Sequence, residues 1–165
     1  MELTSQRLNT LKINTKKGYL LIDPDSAEDA KIVILSDDSD QDIPQTSDYL
    51  VIYGPGDYEA SGILVKGTRN DNQTMYSIDT GEGRILVVLS TSIAKLADED
   101  DYDIVAVKAV SPIEESAVSS LSSNLVVVYG DEANIPDSLK EKRVAKVNLK
   151  KKEELGSNLV YLEKK

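Results

Sequence analysis

The sequence predicts an α/β fold of two packed mixed sheets with helices on the outside, in a single domain over residues 1–165. Three observations predict it. Short apolar strands separated by glycine turns fill the first half, the pattern of a mostly antiparallel meander. Strand and helix patterns alternate in the second half, which calls for covered sheets. Several strands, such as 31–35 and 49–53, are continuous apolar runs and so need cover on both faces.

Each element has a local reason. Residues 8–13 and 18–22 read as two strands, joined by a polar loop that ends at Gly18. Asp23-Pro24 stops the second strand, because proline cannot donate to a ladder. Ser26 reads as the cap of one helical turn over 26–30, with Asp29 at its third position. Residues 54–59, with two glycines around Pro55, predict a tight turn. Residues 61–67 and 75–80 form the arms of a hairpin around 69–73, and 81–83 turns the chain into a strand over 85–89. A helical stretch over 93–96 and a strand over 104–107 follow. Ser111-Pro-Ile-Glu114 has a hydroxyl cap, a proline and an acid, which predicts a helix start. Ile113, Ala117 and Leu121 recur on one face of that helix, which runs to Asn124. Strands at 125–129, 144–149 and 159–162 and a short helix at 136–142 complete the chain.

Composition narrows the function. With 40% apolar and 29% charged residues, the chain is an ordinary globular sequence and not a disordered one. No apolar run approaches the roughly 18 residues of a membrane span, and residues 1–7 lack the pattern of a signal peptide. Cytoplasmic residence is therefore the expectation. There is no cysteine and no histidine, so the commonest general base, the thiolate nucleophile and the usual zinc donors are all missing. The net charge of −10 repels nucleic acid and anionic membranes, so neither is expected as a partner. Residues 140–165 run against the trend, with nine Lys or Arg against four Asp or Glu. This basic segment is expected to pack back on the acidic body as a solvated helix and edge strand.

The stretch 31–42 organises the rest. An apolar strand delivers Asp37, Asp38, Ser39, Asp40 and Asp42 at its C-terminal end, where α/β sheets usually carry chemistry. Three landmarks frame it in order: Leu20-Leu-Ile-Asp-Pro24, Ile32-Val-Ile-Leu-Ser36, and Gly54-Pro-Gly-Asp-Tyr-Glu-Ala-Ser-Gly-Ile63. Together they resemble the metallo-β-lactamase superfamily, in the lactonase-like branch near ascorbate-6-phosphate lactonase. The resemblance implies a trimmed αβ/βα sandwich with a metal groove at the sheet edges. The family motif there reads Ser/Thr-His-x-His-x-Asp-His, and its side chains bind zinc.

Laid on that motif, Ser36 matches, while Asp37, Ser39, Gln41 and Asp42 stand at the places of histidine, histidine, aspartate and histidine. An earlier family histidine falls on Leu8, a bridging aspartate falls at Ser90-Thr91, and the last histidine falls at Gly130-Asp131. No recognised ligand position keeps its family residue. Leu8, Asp37, Ser39, Gln41, Asp42, Thr91 and Asp131 are thus expected to mark a vestigial site with no catalytic residue, no metal and no cofactor.

Two functional classes follow. One is a non-catalytic, metal-free binding, scaffold or subunit module, with an unknown protein partner or small ligand. The other is a hydrolase using an oxygen-ligated metal at Asp37, Asp42 and Asp131. No calcium-loop spacing supports the second, since Asp42 stands where the loop glycine belongs and Asp48 where the closing glutamate belongs. Serine–lysine chemistry from Ser90, Ser92 and Lys95 rests on spacing alone. Asp57, Tyr58 and Glu59 are the polar groups that a ligand at the 54–59 turn would meet. The acidic run 98–103 is expected to be a solvated helix end and loop. Residues 159–162 are expected to be an exposed edge strand through which a homo-oligomer forms.

Overall fold

Three strands open the chain where two are expected. The computed structural model describes residues 1–96, 101–121 and 124–165, apart from the side chains of Leu8 and Lys95. In it, β1 (Glu2–Gln6) pairs antiparallel with β2 (Thr10–Thr15), which pairs with β3 (Gly18–Ile22). Leu3 is fully buried, the inward position that a strand reading of residues 2–6 would require. Residues 7–9 form a 3₁₀ turn instead of the start of β2. Residues 26–30 are turns and not a helical turn.

β4 (Ile32–Leu35) and β5 (Leu50–Tyr53) then add to β3 in parallel, so the first half is only partly a meander. The glycine-proline segment is also more than a turn. Gly54 and Pro55 make the link, and β6 (Gly56–Ala60) follows directly as the edge strand of the second sheet. β7 (Ile63–Asn70) passes close beneath that link, where a side-chain carbon on Gly67 would lie 2.7 Å from the Gly54 carbonyl oxygen.

β8 (Gln73–Asp79) and β9 (Arg84–Leu89) continue antiparallel. β10 (Ile104–Ala109), β11 (Val126–Gly130) and β14 (Leu159–Leu162) then run parallel to β9. The expected strand over 144–149 is split. β12 (Arg143–Val144) closes the second sheet beside β14, and β13 (Val147–Asn148) closes the first beside β1, so the chain crosses between sheets at Ala145-Lys146. β14 is therefore internal and buried, not the exposed edge expected of it. The orders are β13-β1-β2-β3-β4-β5 and β12-β14-β11-β10-β9-β8-β7-β6.

The sheets face each other across an apolar core. Leu11, Ile13, Leu20, Ile22, Ile34 and Ile52 of the first meet Ile63, Val65, Ile78, Ile85, Val87 and Val127 of the second. Burying each such side chain contributes about 1.5–3 kcal/mol. Short helical segments cover the outer face of the second sheet. They include α1 (Glu115–Ser119), α2 (Asp137–Lys140) and the 3₁₀ stretch Ser90–Lys95. The loop 24–48 covers the first sheet instead, with Ala27, Ala30 and Ile43 on Leu21, Val33 and Leu35. Ser111 does not cap α1, which starts one turn later with Glu114 as its flanking residue. Its buried face is Val118 with Ile113 and Leu121, while Ala117 is exposed.

The open edges differ in protection. At β5 the Gln45 side chain imitates a further strand, accepting from Val51 N at 2.8 Å and donating to the Tyr49 carbonyl. At β6 charge does the work: antiparallel pairing of two copies about Tyr58 would set Asp57 opposite Glu59, like charges that oppose the pairing. The basic C-terminal segment does pack back on the body, through Lys142–Glu115 at 3.0 Å and Lys146–Glu2 at 3.3 Å. Residues 98–100 of the acidic run lie outside the described residues.

Candidate functional site

The parallel strands of both sheets send their C-terminal ends to one place, and four polar side chains meet there. Asp23 directly follows β3, Ser36 directly follows β4, and β10 carries Lys108 near its end. Asp23 is buried, in the left-handed region at φ 54°, which a short polar side chain tolerates better than most. Its backbone is pinned by Asp23 N donating to Ile34 O at 2.9 Å and by the Thr10 hydroxyl donating to Asp23 O at 2.9 Å. That posture presents the carboxylate to Ser36, whose N–H donates to Oδ1 at 2.7 Å and whose hydroxyl donates to Oδ2 at 2.6 Å.

Lys108 completes the centre. It follows Ile104 and Ala106 on the inward face of β10, and its ammonium donates to Asp23 Oδ2 at 2.8 Å and to Asp38 Oδ2 at 3.1 Å. The Lys108 and Asp23 side chains are 7% and 5% exposed, against 44% for Asp38. The first pair is therefore a buried ion pair and the second a lid at the water's edge. Asp37 is held separately, accepting from Thr74 N at 2.5 Å with Arg69 4.0 Å away.

Two tyrosines close the floor. The Tyr76 hydroxyl accepts from Gly54 N at 2.9 Å and donates to Leu35 O at 3.3 Å, stapling the ends of β4 and β5 to β8. Burial pushes its pKa up to about 12, against the opposing effect of the Gly54 hydrogen bond. Burial also pushes Tyr129 well above the usual range, with the Asp23 and Asp38 charges adding to it. Both rings are thus neutral in the folded protein. The sign of the linkage follows: the neutral Tyr76 contribution is complete below pH 10 and is lost as pH rises toward about 12. Urea melts at rising pH are expected to show stability falling above pH 10, with a shallower fall in Tyr76→Phe.

The expected vestigial positions are only partly brought together. Asp37 stands apart from the Lys108 pair, held by Thr74 N. Ser39 and Gln41 turn to one another, with Ser39 Oγ accepting from Gln41 N at 3.2 Å, and Asp42 is exposed. Thr91 accepts from the Gln73 side chain at the surface. Asp131 is exposed and caps a 3₁₀ turn by accepting from Ala133 N at 3.0 Å. The Leu8 side chain and that of Lys95, the third member of the serine–lysine set, lie outside the described residues. Asp57, Tyr58 and Glu59 belong to the β6 edge, which β7, β8 and β9 separate from β10. Asp57 and Tyr58 line an open groove of about 520 Å³ with Lys66, Asp79 and Arg84. Glu59 accepts from Gly62 N at 2.9 Å.

Asp23 and Lys108 are the residues that sequence reasoning missed. In the sequence Asp23 reads as part of a strand stop and of the landmark at 20–24, not as a site residue. Ending β10 at Val107 hid Lys108, although its inward parity with Ile104 and Ala106 was available.

The sequence itself matches no family model and no curated protein. Its structure, however, resembles a putative zinc-dependent hydrolase of the metallo-β-lactamase superfamily from Thermotoga maritima. The TM-score is 0.67 at 14% identity, over all of both chains. The fold is that of the metallo-β-lactamases. The metallo-β-lactamase fold protein YhfI of Bacillus subtilis is similar at TM-score 0.55 and 11% identity, over 98% of this chain and 95% of that one. An isothiocyanate hydrolase from Delia radicum gut bacteria is similar at TM-score 0.57 and 12% identity, over 98% and 96%.

A metallo-β-lactamase fold implies a metal, and the residues at this centre do not fit one. Neither imidazole nor thiolate exists in the chain. Among the described residues, no three Asp or Glu side chains converge as metal ligands. The Asp23 carboxylate already takes two hydrogen bonds from Ser36 and one from Lys108, most of its acceptor capacity. A cation approaching it would face the Lys108 ammonium. The cavity beside these groups measures about 10 Å³, against the several hundred Å³ that a substrate pocket needs.

Proposed function

We propose that this chain is a degenerate member of the lactonase-like branch of the metallo-β-lactamase superfamily. It acts as a metal-free, non-catalytic binding, scaffold or subunit module. The observation that carries the reading is Lys108. Its ammonium supplies, from the protein itself, the positive charge that two groove carboxylates require, and it does so from a buried position. A buried carboxylate needs a counter-charge, and an internal lysine meets that need at every metal concentration. Binding would then fall to the surface, where the groove lined by Asp57 and Tyr58 is a candidate for a small ligand or a peptide.

The second reading, an oxygen-ligated metal hydrolase, draws on the hydrolase names of two structural neighbours. Within the chain it would need Asp37, Asp42 and Asp131 to act together. Asp37 is held by Thr74 N and Asp131 by Ala133 N, while Asp42 is exposed. The test is a hydrolysis screen over lactones and phosphodiesters with Zn²⁺, Mn²⁺ or Mg²⁺ added. The module reading expects rates equal to the buffer with each metal. Turnover that disappears in Asp37→Ala would establish the hydrolase.

A further inference from the structure

The cavity beside Lys108 is too small for an organic ligand, yet its walls carry unused hydrogen-bonding capacity. Thr74 and Tyr129 are 3% and 0% exposed and both line it. Thr74 Oγ1 and the Tyr129 hydroxyl each lack a hydrogen-bond partner among the described residues. Lys108 lines the same space. An ammonium has three N–H donors, and two of them go to Asp23 and Asp38. Buried polar groups are almost always satisfied, by protein or by ordered water. Here Thr74, Lys108 and Tyr129, from three different strands, line a space of about 10 Å³, the volume that one water molecule requires.

We infer that the cavity binds one ordered water, which accepts from Lys108 Nζ and hydrogen-bonds to Thr74 Oγ1 and the Tyr129 hydroxyl. The three partners match the usual number for a buried water. Charge selects water over an ion. A cation would lie against the Lys108 ammonium, and an anion would lie near the carboxylates of Asp23 and Asp38. The water ties β8, β10 and β11 together beneath the ion pair, and so keeps the Lys108 stem in the posture that reaches both carboxylates.

A high-resolution crystal structure from crystals soaked in rubidium bromide tests this. The expected result is one isolated peak, about 2.6–3.2 Å from both hydroxyl oxygens and without anomalous signal. An anomalous peak there, no peak, or a direct bond between Tyr129 and Thr74 would overturn the inference. Solution data supply a second arm. Tyr129→Phe removes a group that a bound water satisfies, so the folding constant is expected to fall about tenfold. If the hydroxyl were truly unpartnered, its removal would leave the folding constant unchanged or raise it, and either result overturns the site. Thr74→Val is expected to behave likewise, and the double variant to lose less than the product of the two. A strictly multiplicative loss counts against a shared water.

Discussion

Lys108→Met is expected to lower the free energy of unfolding by about 3–5 kcal/mol at neutral pH, the usual cost of removing one partner of a buried pair. The methionine fills most of the volume of the lysine stem, so the loss is electrostatic and not a cavity effect. It falls on Asp23, which is left buried with only the Ser36 donors. Asp38 is 44% exposed and can be resolvated, so Asp38→Asn is expected to cost less than about 1 kcal/mol. The double variant Asp23→Asn/Lys108→Met should lose clearly less than the sum of its parts, because neither charge is then stranded. Urea denaturation of the wild type, Lys108→Met, Asp38→Asn, Asp23→Asn and the double variant checks the set. A loss below 1 kcal/mol for Lys108→Met would show that the pair is not shielded from water.

Gly130→Ala is the second large effect, and it acts on the same place through the backbone. Gly130 ends β11 at φ 121°, and a side-chain carbon there would lie 2.9 Å from Ala109 N and 3.1 Å from Ala109 O. Both contacts are with backbone of the neighbouring strand, which cannot rotate away. Strain of this kind costs about 1–3 kcal/mol, and overpacking adds about as much again, so a loss of about 2–6 kcal/mol is expected. Ala109 follows Lys108, so pushing the two strands apart here also misplaces the ammonium. Gly156→Ala is the control. It has φ 69° but nothing within 4 Å, and should cost only about 1–2 kcal/mol. Equal losses in the two variants would show that conformation, not the contact with β10, sets the cost.

The fold class was legible because strand parity and continuous apolar runs are local signals. β4, β9, β11 and β14 stand close to where their apolar residues put them. What was not legible depends on pairing partners. A run such as 144–149 reads as one strand, and only the sheets decide that Val144 joins one and Val147 the other. Proline with glycine reads as a turn, although Gly56 onward extends along β7 as an edge. Ser111 caps no helix, since its hydroxyl is paired instead with Ser90 Oγ at 3.0 Å, a tertiary contact with no sequence signature. At the site, the losses of histidine were readable one position at a time. The replacement was not, because Asp23 and Lys108 are 85 residues apart and meet only when the two sheets pack face to face.

Calorimetric titration of Zn²⁺ and Mn²⁺ into the purified protein tests most directly whether Lys108 stands in for a metal. With Lys108 in that role, neither ion gives a saturable heat near one equivalent or shifts the melting temperature. One equivalent of tightly bound metal, lost in Asp37→Ala and Asp42→Ala, would contradict it and show a groove rebuilt with oxygen ligands.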